Sequence, residues 1–457
     1  MLQTLRNAWK QPDIRRKLLF VVFILFLYRI GTVIPVPFFS ADTYESFLAS
    51  GTILEYLNVL SGGSLEQATL FALGINPYIT ASIVIQLLTV AIPALERLAQ
   101  QGEEGKKKIN NITRYVTVGL ALITAFGYYL LLRNSNALTH VVAGAPVTGG
   151  EIFPAAVMIA CYCAGASLVM WLAEKINENG LGNGISLILF ANIVSRLPHT
   201  FIGLYDVIRT AIEGAKGVLI ALAIIFVVVF LVVMLAMLVF CVFITGSERR
   251  IPVQYAKRVV GRKMMGGQST NLPMKLNMSG VMPVIFASSI ISLPATIMAF
   301  CGVTESTKGF WGGFYRFMGM DGWFYPLIFA LLIVAFSYFY VQISFNPLEV
   351  SNNLKKNGGM IPGVRQGRPT TEYISKILKR VTLIGAFFLM IIAVLPIIAV
   401  PLAIEPILEK ISADLASLAS SLQFGGTSLL IVIGVALETA RDLEAQLTMR
   451  SYKGFLN

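Results

Sequence analysis

Residues 58–88 read NVLSGGSLEQATLFALGINPYITASIVIQLL. Leu65, Ala68, Thr69 and Ala72 recur at helical spacing and predict a helix running into Leu73-Gly74-Ile75-Asn76-Pro77. There it must stop, because Pro77 has no amide donor and disfavours helix at Asn76. A second, strongly apolar helix resumes beyond. In lipid, a break of this kind persists only where protein or a water-filled cavity satisfies the freed backbone groups, so the stretch is expected to face an internal passage. The alternative is an ordinary kinked membrane helix.

The rest of the chain sets the solvent. Of its 457 residues 56% are hydrophobic and 13% charged, and the mean hydropathy is +0.74, which the surface of a soluble domain this long would not tolerate. Apolar runs of about 20 residues, enough for a helix to cross roughly 30 Å of hydrocarbon, recur near 18–35, 72–92, 114–133, 152–173, 183–198, 217–245, 281–301, 323–345, 381–400 and 424–440. Ten spans are therefore expected. The fifth is the shortest and could be re-entrant.

Charge placement decides that point. The N-terminus, the loops 94–114, 174–184, 246–278 and 347–380, and the C-terminus together hold 28 of the 36 Lys and Arg but only 11 of the 24 Asp and Glu. By the positive-inside rule these segments, both termini included, are cytoplasmic and the span count is even. A re-entrant fifth segment would put the two most basic loops outside.

Arg15-Arg16-Lys17 followed by LLFVVFILFLYRIG has the form of a signal peptide, but Ile34-Pro35-Val36-Pro37 follows in place of a small-residue cleavage site, so a retained first span is expected. Cys161, Cys163, Cys241 and Cys301 lie in or at the ends of apolar spans and read as small hydrophobes rather than metal or disulfide partners.

Ten spans divide into five and five about a mixed segment near 199–216. An odd number per half makes the second half enter the membrane from the opposite side, as an inverted repeat requires. The second span of each half looks broken, at Gly74 and Pro77 and again at Pro283 and Pro294. Interrupted segments at matching positions point to a pathway between two bundles.

Several loops carry readable chemistry. QGEEGKKK at 101–108 reads as a solvated tip. The glycine cluster Asn179–Ser186 precedes a helix without a strand before it or a Lys-Ser/Thr after it, which favours a sharp entry turn over phosphate binding. The loop 246–278, with β-branched and aromatic residues around central glycines, predicts a protruding hairpin. In 347–380, Ile361-Pro362-Gly363-Val364-Arg365-Gln366-Gly367 predicts a rigid turn with Arg365 at its tip, suited to a polyanionic partner such as ribosomal RNA or an acidic protein face.

Intramembrane ionisable residues are few: Arg29 and Glu438 are the clearest, each close to an interface, while His140 and His199 fall outside the spans. An ion-coupled carrier would need such groups. No Ser-His-Asp set, paired aspartates, HExxH or P-loop is present, so an enzyme and a nucleotide-driven pump are not expected, nor is a cofactor or metal. A secondary transporter of a small polar solute remains the rival reading.

Five stretches in order, LNVLSGGSLEQATLFALGINPYITASIVIQLL, ENGLGNGISLILFANI, ERRIPVQYAKRVVGRK with NLPMKLNMSGVMPVIFA, GGMIPGVRQG and FGGTSLLIVIGVALET, resemble the motifs of the SecY family, the central subunit of the protein-translocation channel. The resemblance implies an all-α membrane protein of the cell (plasma) membrane, with ten transmembrane helices in two inverted five-helix halves, 1–200 and 201–457, around a central hourglass pore. It implies a plug over 58–70, including Asn58, Ser61, Gly62, Gly63, Ser64, Leu65 and Leu70, and a hydrophobic ring of Ile79, Ile83, Leu189, Ile193, Ile285 and Ile431. A lateral gate would include Gln86, Ser288 and Ser289. Arg249, Arg250 and Arg365 would meet a SecA motor ATPase or the ribosome with its RNA. Small SecE- and SecG-type membrane subunits, signal sequences, nascent polypeptides and the lipid bilayer would be the other partners. The residue chemistry fits: a narrow ring of Ile and Leu dewets and blocks ions without binding any ligand, yet yields to a chain of varied side chains.

Three departures from the family pattern stand out. Gln366 replaces a proline and is expected to loosen the turn tip. Asn192 replaces a glycine beside Ile193 and would put a polar group at the seal if it turned inward. Glu438 replaces an aspartate.

Overall fold

The computed structural model describes residues 6, 8–39, 58, 61–134, 138, 141–142, 145–146, 152–213, 217–255, 258–260, 263–265, 269–303, 309–318, 324–400 and 425–453. Within them ten long helices match the ten expected spans: α1 (Pro12–Gly31), α2 (Asn76–Ala91), α4 (Glu103–Asn134), α5 (Ile152–Asn179), α6 (Gly184–Glu213), α7 (Gly217–Gly246), α8 (Met282–Phe300), α10 (Phe324–Ser344), α12 (Arg368–Ala399) and α13 (Gly425–Lys453). Shorter helices α3 (Pro93–Gln100), α9 (Phe310–Met318) and α11 (Pro347–Lys356) lie between them. Seven helices are long and apolar enough by themselves to cross a bilayer, and α2 with α3, bent by 99°, would make an eighth. Large apolar side chains face outward along them: Val232 of α7 and Ile123 of α4 are 60% and 66% exposed. That surface is stable only against lipid.

The helix expected over 65–73 is replaced by consecutive turns across 62–75. Gly62, Gly63, Gly74 and even Ala68 have positive φ, which no helical ladder accepts. The freed groups bond elsewhere. Val36 N–H donates to the Ala68 carbonyl (3.1 Å), Leu70 N–H donates to the Ile34 carbonyl (2.9 Å), and Pro35 bridges Thr69 antiparallel. The segment therefore pairs with the chain leaving α1. The break at Gly74 to Pro77 is where it was expected, and α2 starts there with Pro77 in its first turn.

Other expectations need correction. The fifth span continues through Pro198 to Glu213 as one 30-residue helix, so 199–213 extends a span instead of joining two halves. The second broken span is not broken: Pro283 sits in the first turn of α8, where its missing N–H has no partner to lose, and Pro294 is carried inside a continuous helix. The 101–108 tip shrinks to Gln101 and Gly102, because Glu103 and Glu104 open α4, where carboxylates favour a helix N-terminus. The glycine cluster is the expected sharp entry: an added Cβ at Gly184 would lie 2.1 Å from the Ala173 carbonyl oxygen, and the Asn177 side chain accepts the Gly184 N–H at 2.7 Å. His140 lies outside the described residues, as does the side chain of His199.

The all-α description holds for the membrane part only. Beyond a two-residue pair, β1 (Val141–Val142) with β2 (Ala145–Pro146), the expected hairpin is present: β3 (Glu248–Tyr255) pairs antiparallel with β6 (Ser269–Lys275), from Glu248↔Lys275 to Gln254↔Ser269, and the short strands β4 (Arg258–Val260) and β5 (Lys263–Met265) pair near its tip. The other large loop adds β7 (Gly359–Met360) to the free edge of β3, through Gln254↔Met360 and Tyr255↔Gly359. Ile251 and Val253 point to one face, as strand alternation demands, and pack with Met274, Leu354, Ile361 and Ile374 in a separate small core. Both basic loops are thus one folded module.

Candidate functional site: an apolar cluster of four helices and a buried turn segment

The six apolar residues expected in the ring come from four helices. Ile79 and Ile83 share one face of α2 and Leu189 and Ile193 one face of α6, each pair four residues apart, while α8 supplies Ile285 and α13 supplies Ile431. All six fall in one hydrophobic cluster and each is only 1–3% exposed. Helices far apart in sequence thus close on each other through branched aliphatic side chains. Asn192 shares this face of α6 and is buried; its amide Nδ2 donates to the Tyr28 hydroxyl at 2.9 Å, and Tyr28 stacks on Phe71 with centroids 5.5 Å apart.

Among the described residues of 58–70, Leu70 packs on this cluster, and polar contacts that the sequence reading did not anticipate hold the segment to α4 and α6. Asn58, Ser61, Ser64 and Leu65 are buried. The Asn58 side chain closes a local loop: Nδ2 donates to Glu66 Oε2 (2.8 Å), and Oδ1 accepts the Glu66 N–H (3.1 Å). Ser61 Oγ donates to the Asn58 carbonyl and accepts the Leu65 N–H, and Ser64 Oγ donates to the Ser61 carbonyl. From outside the segment, the Tyr128 hydroxyl of α4 donates to the Leu65 carbonyl at 2.7 Å, and Arg196 of α6 donates from Nη2 to Glu66 Oε2 at 2.9 Å. Close approach requires glycine on both sides. Gly62 has φ 71° and an added Cβ would lie 2.9 Å from Asn192 Oδ1, while one at Gly165 of α5 would meet the Leu70 carbonyl oxygen at 1.9 Å.

The Arg196–Glu66 pair adds a charge pair to an interior in which few ionisable residues were expected. Arg196 lies within the fifth expected span, and that position was a signal open to the sequence reading. Glu66 gave none, because its apposition to Arg196 arises only when the turns fold back.

The three polar residues expected at a gate keep their hydrogen bonds inside their own helices: Gln86 Nε2 donates to Ser82 Oγ, and the Ser288 and Ser289 hydroxyls both donate to the Ile285 carbonyl. Helix α8 packs on α2 and α4, and a cavity of about 100 Å³ opens at this seam, lined among others by Leu73, Pro77, Thr80, Ser289, Ser292 and Thr296. Leu, Ala and aromatic side chains share its walls with Ser, Thr and Asn.

On the basic module Arg249 and Arg250 are exposed; strand alternation sends them to opposite faces, and Arg250 Nε donates to Glu248 Oε1 at 2.8 Å. Arg365 is exposed at the tip of the second loop. Gln366 tightens this tip: its Nε2 donates to the Gly359 carbonyl (3.2 Å), and Thr370 Oγ1 donates to the Arg365 carbonyl (2.7 Å). Gly363 and Gly367 supply the positive φ the turn requires.

The SecY family profile matches residues 69–440. Over the full length of both chains, the protein is 43% identical to protein translocase subunit SecY of Streptomyces coelicolor and 39% identical to that of Bacillus subtilis. Its fold is similar to that of a solved protein-conducting channel (TM-score 0.61, 17% identity, covering 94% of this chain and 91% of the other). It also resembles Sec61 in a canine ribosome-channel complex (TM-score 0.58, 16% identity, 94% and 91% covered). An apolar cluster shared by four helices, a buried turn segment and full-length identity of about two residues in five converge on one assignment: the chain belongs to the SecY family of protein translocase subunits.

Proposed function

We propose that the chain is a passive, partner-driven conduit through which unfolded secretory polypeptides cross the membrane and from which apolar segments leave sideways into lipid. As a SecY-family protein it is a multi-pass protein-translocating channel rather than a carrier of small solutes. The finer assignment gives Ile79, Ile83, Leu189, Ile193, Ile285 and Ile431 the role of a neck that seals by excluding water. It makes 58–70 a plug seated on that neck, and the α2–α8 seam with Gln86, Ser288 and Ser289 the lateral exit. The observation that carries it is the burial of all six residues in one cluster, on helices of which α6 also holds the 58–70 segment through Arg196. An apolar constriction dewets and resists ions, whereas a passing chain can push its walls apart.

Several features support the rest. The cavity at the α2–α8 seam marks incomplete packing where a lateral exit needs it. Helices of the two proposed halves, 1–200 and 201–457, touch at α2–α8, α4–α8, α6–α7 and α6–α13; the end of α6 at Glu213 moves the joint slightly later. The basic module, with exposed Arg249, Arg250 and Arg365, is assigned to docking a SecA-type motor or the ribosome on the cytoplasmic side of the plasma membrane, where both termini lie. Binding of the canine relative to a ribosome is in keeping with this. Small SecE- and SecG-type subunits complete the assembly, and the chain itself performs no chemistry.

The test is a double substitution, Ile83→Asn with Ile285→Asn, in the complex reconstituted in planar bilayers. Leak of ions through idle channels is expected. Unchanged conductance removes both residues from the seal.

A further inference from the structure

Helix α6 presents Leu189, Asn192, Ile193 and Arg196 at positions i, i+3, i+4 and i+7, a single stripe on one face. The first and third belong to the buried cluster of the ring. The second and fourth touch the turn segment: Asn192 lies under Gly62, and the Arg196 guanidinium lies within 3.5 Å of where a Gly63 Cβ would be and holds Glu66 at 2.9 Å. Both partners of this pair are about a quarter to a third exposed, with side-chain accessibilities of 24% and 32%. Glu66 is in turn clasped from within its own segment by Asn58. Arg29 of α1 approaches the same turn, with Nη1 3.1 Å from the Gly62 Cβ position.

We infer that Arg196 and Glu66 form an ionic latch that couples release of the 58–70 segment to displacement of the ring-bearing face of α6. Ring residues and latch share one rigid helix, so a polypeptide that pushes Leu189 and Ile193 outward draws Arg196 away from Glu66 in the same movement. A charge-assisted hydrogen bond weakens steeply with such a separation. The segment is then held only by its neutral bonds and leaves. With the ring shut, the pair is intact and holds the segment down. The latch rests on reading 58–70 as the plug.

The test is a double-mutant cycle on idle ion conductance of the reconstituted complex, using Glu66→Gln, Arg196→Gln and the two combined, with deletion of 58–70 as the reference. Each single change is expected to raise idle conductance about fivefold, the loss of one charge-assisted bond. The double change is expected to do no more than either single, and Arg196→Lys, which keeps the charge, should recover most of the seal. Yield and thermal unfolding of the complex should stay near wild type in all four substituted variants. Singles that leave the conductance unchanged, or a double equal to the product of the singles, overturn the latch. If the deletion itself leaves conductance unchanged, the plug reading fails; if the deletion leaks and the singles do not, the plug reading stands and the latch alone is lost.

Discussion

The Tyr128 hydroxyl, on α4, donates at 2.7 Å to the main-chain carbonyl of Leu65, a residue 63 positions earlier within the turns across 62–75. Tyr128 is fully buried, and it packs edge-on against Tyr162, whose hydroxyl lies 3.5 Å from the Ala68 carbonyl. Two tyrosines of adjacent helices thus give a second donor to carbonyls that each already accept one main-chain N–H, Leu65 from Ala68 and Ala68 from Val36.

Tyr128→Phe keeps the ring packing and removes that donor. The loss is expected to weaken seating of 58–70 by about 1 kcal/mol, several-fold in the unseated population. Idle conductance of the reconstituted complex measures it, and a wild-type value would assign the bond no part in the seal.

Gly62→Ala tests the close approach to α6. The φ of 71° is left-handed, costing an L-residue roughly 1–2 kcal/mol, and the new methyl would press on Asn192 at 2.9 Å. Gly102→Ala carries similar backbone strain, at φ 73°, with nothing within 4 Å. Idle conductance should therefore rise for the first variant and stay at wild type for the second. Equal behaviour of the two would mean that contact with α6 has no role in seating.

What was legible in the sequence was what the bilayer imposes. Ten apolar runs, the sidedness of Lys and Arg and the break at Gly74 to Pro77 all follow from hydrocarbon thickness and from backbone groups that need partners. The hairpin was legible from strand-like composition around glycines. Tertiary pairing was not: Ala68 and Leu70 leave helical geometry because Ile34 and Val36 offer them partners, and no local pattern carries that. Proline was over-read, since Pro198 and Pro294 lie inside continuous helices. Gln366 was expected to loosen a turn that its amide closes on Gly359. The ring residues could be placed by family likeness alone, because to periodicity an isoleucine facing the neck and one facing a neighbouring helix look the same.

Arg365→Glu should reduce translocation into vesicles at least tenfold while expression, membrane insertion and the protease resistance of the cytoplasmic module stay normal, because the side chain is exposed and the turn is held by Gln366, Thr370 and glycines. Gln366→Ala should have a smaller effect in the same direction by loosening the tip. Normal export by Arg365→Glu would remove this tip from docking.

The most direct measurement is site-specific photocrosslinking of a stalled secretory chain from positions 79, 83, 189, 193, 285 and 431, with the outward-facing positions 123 and 232 as references. The account predicts that the stalled polypeptide crosslinks from all six ring positions and from neither reference. Crosslinks no stronger from the ring than from positions 123 and 232 would contradict it, because the polypeptide would then not be passing through the neck.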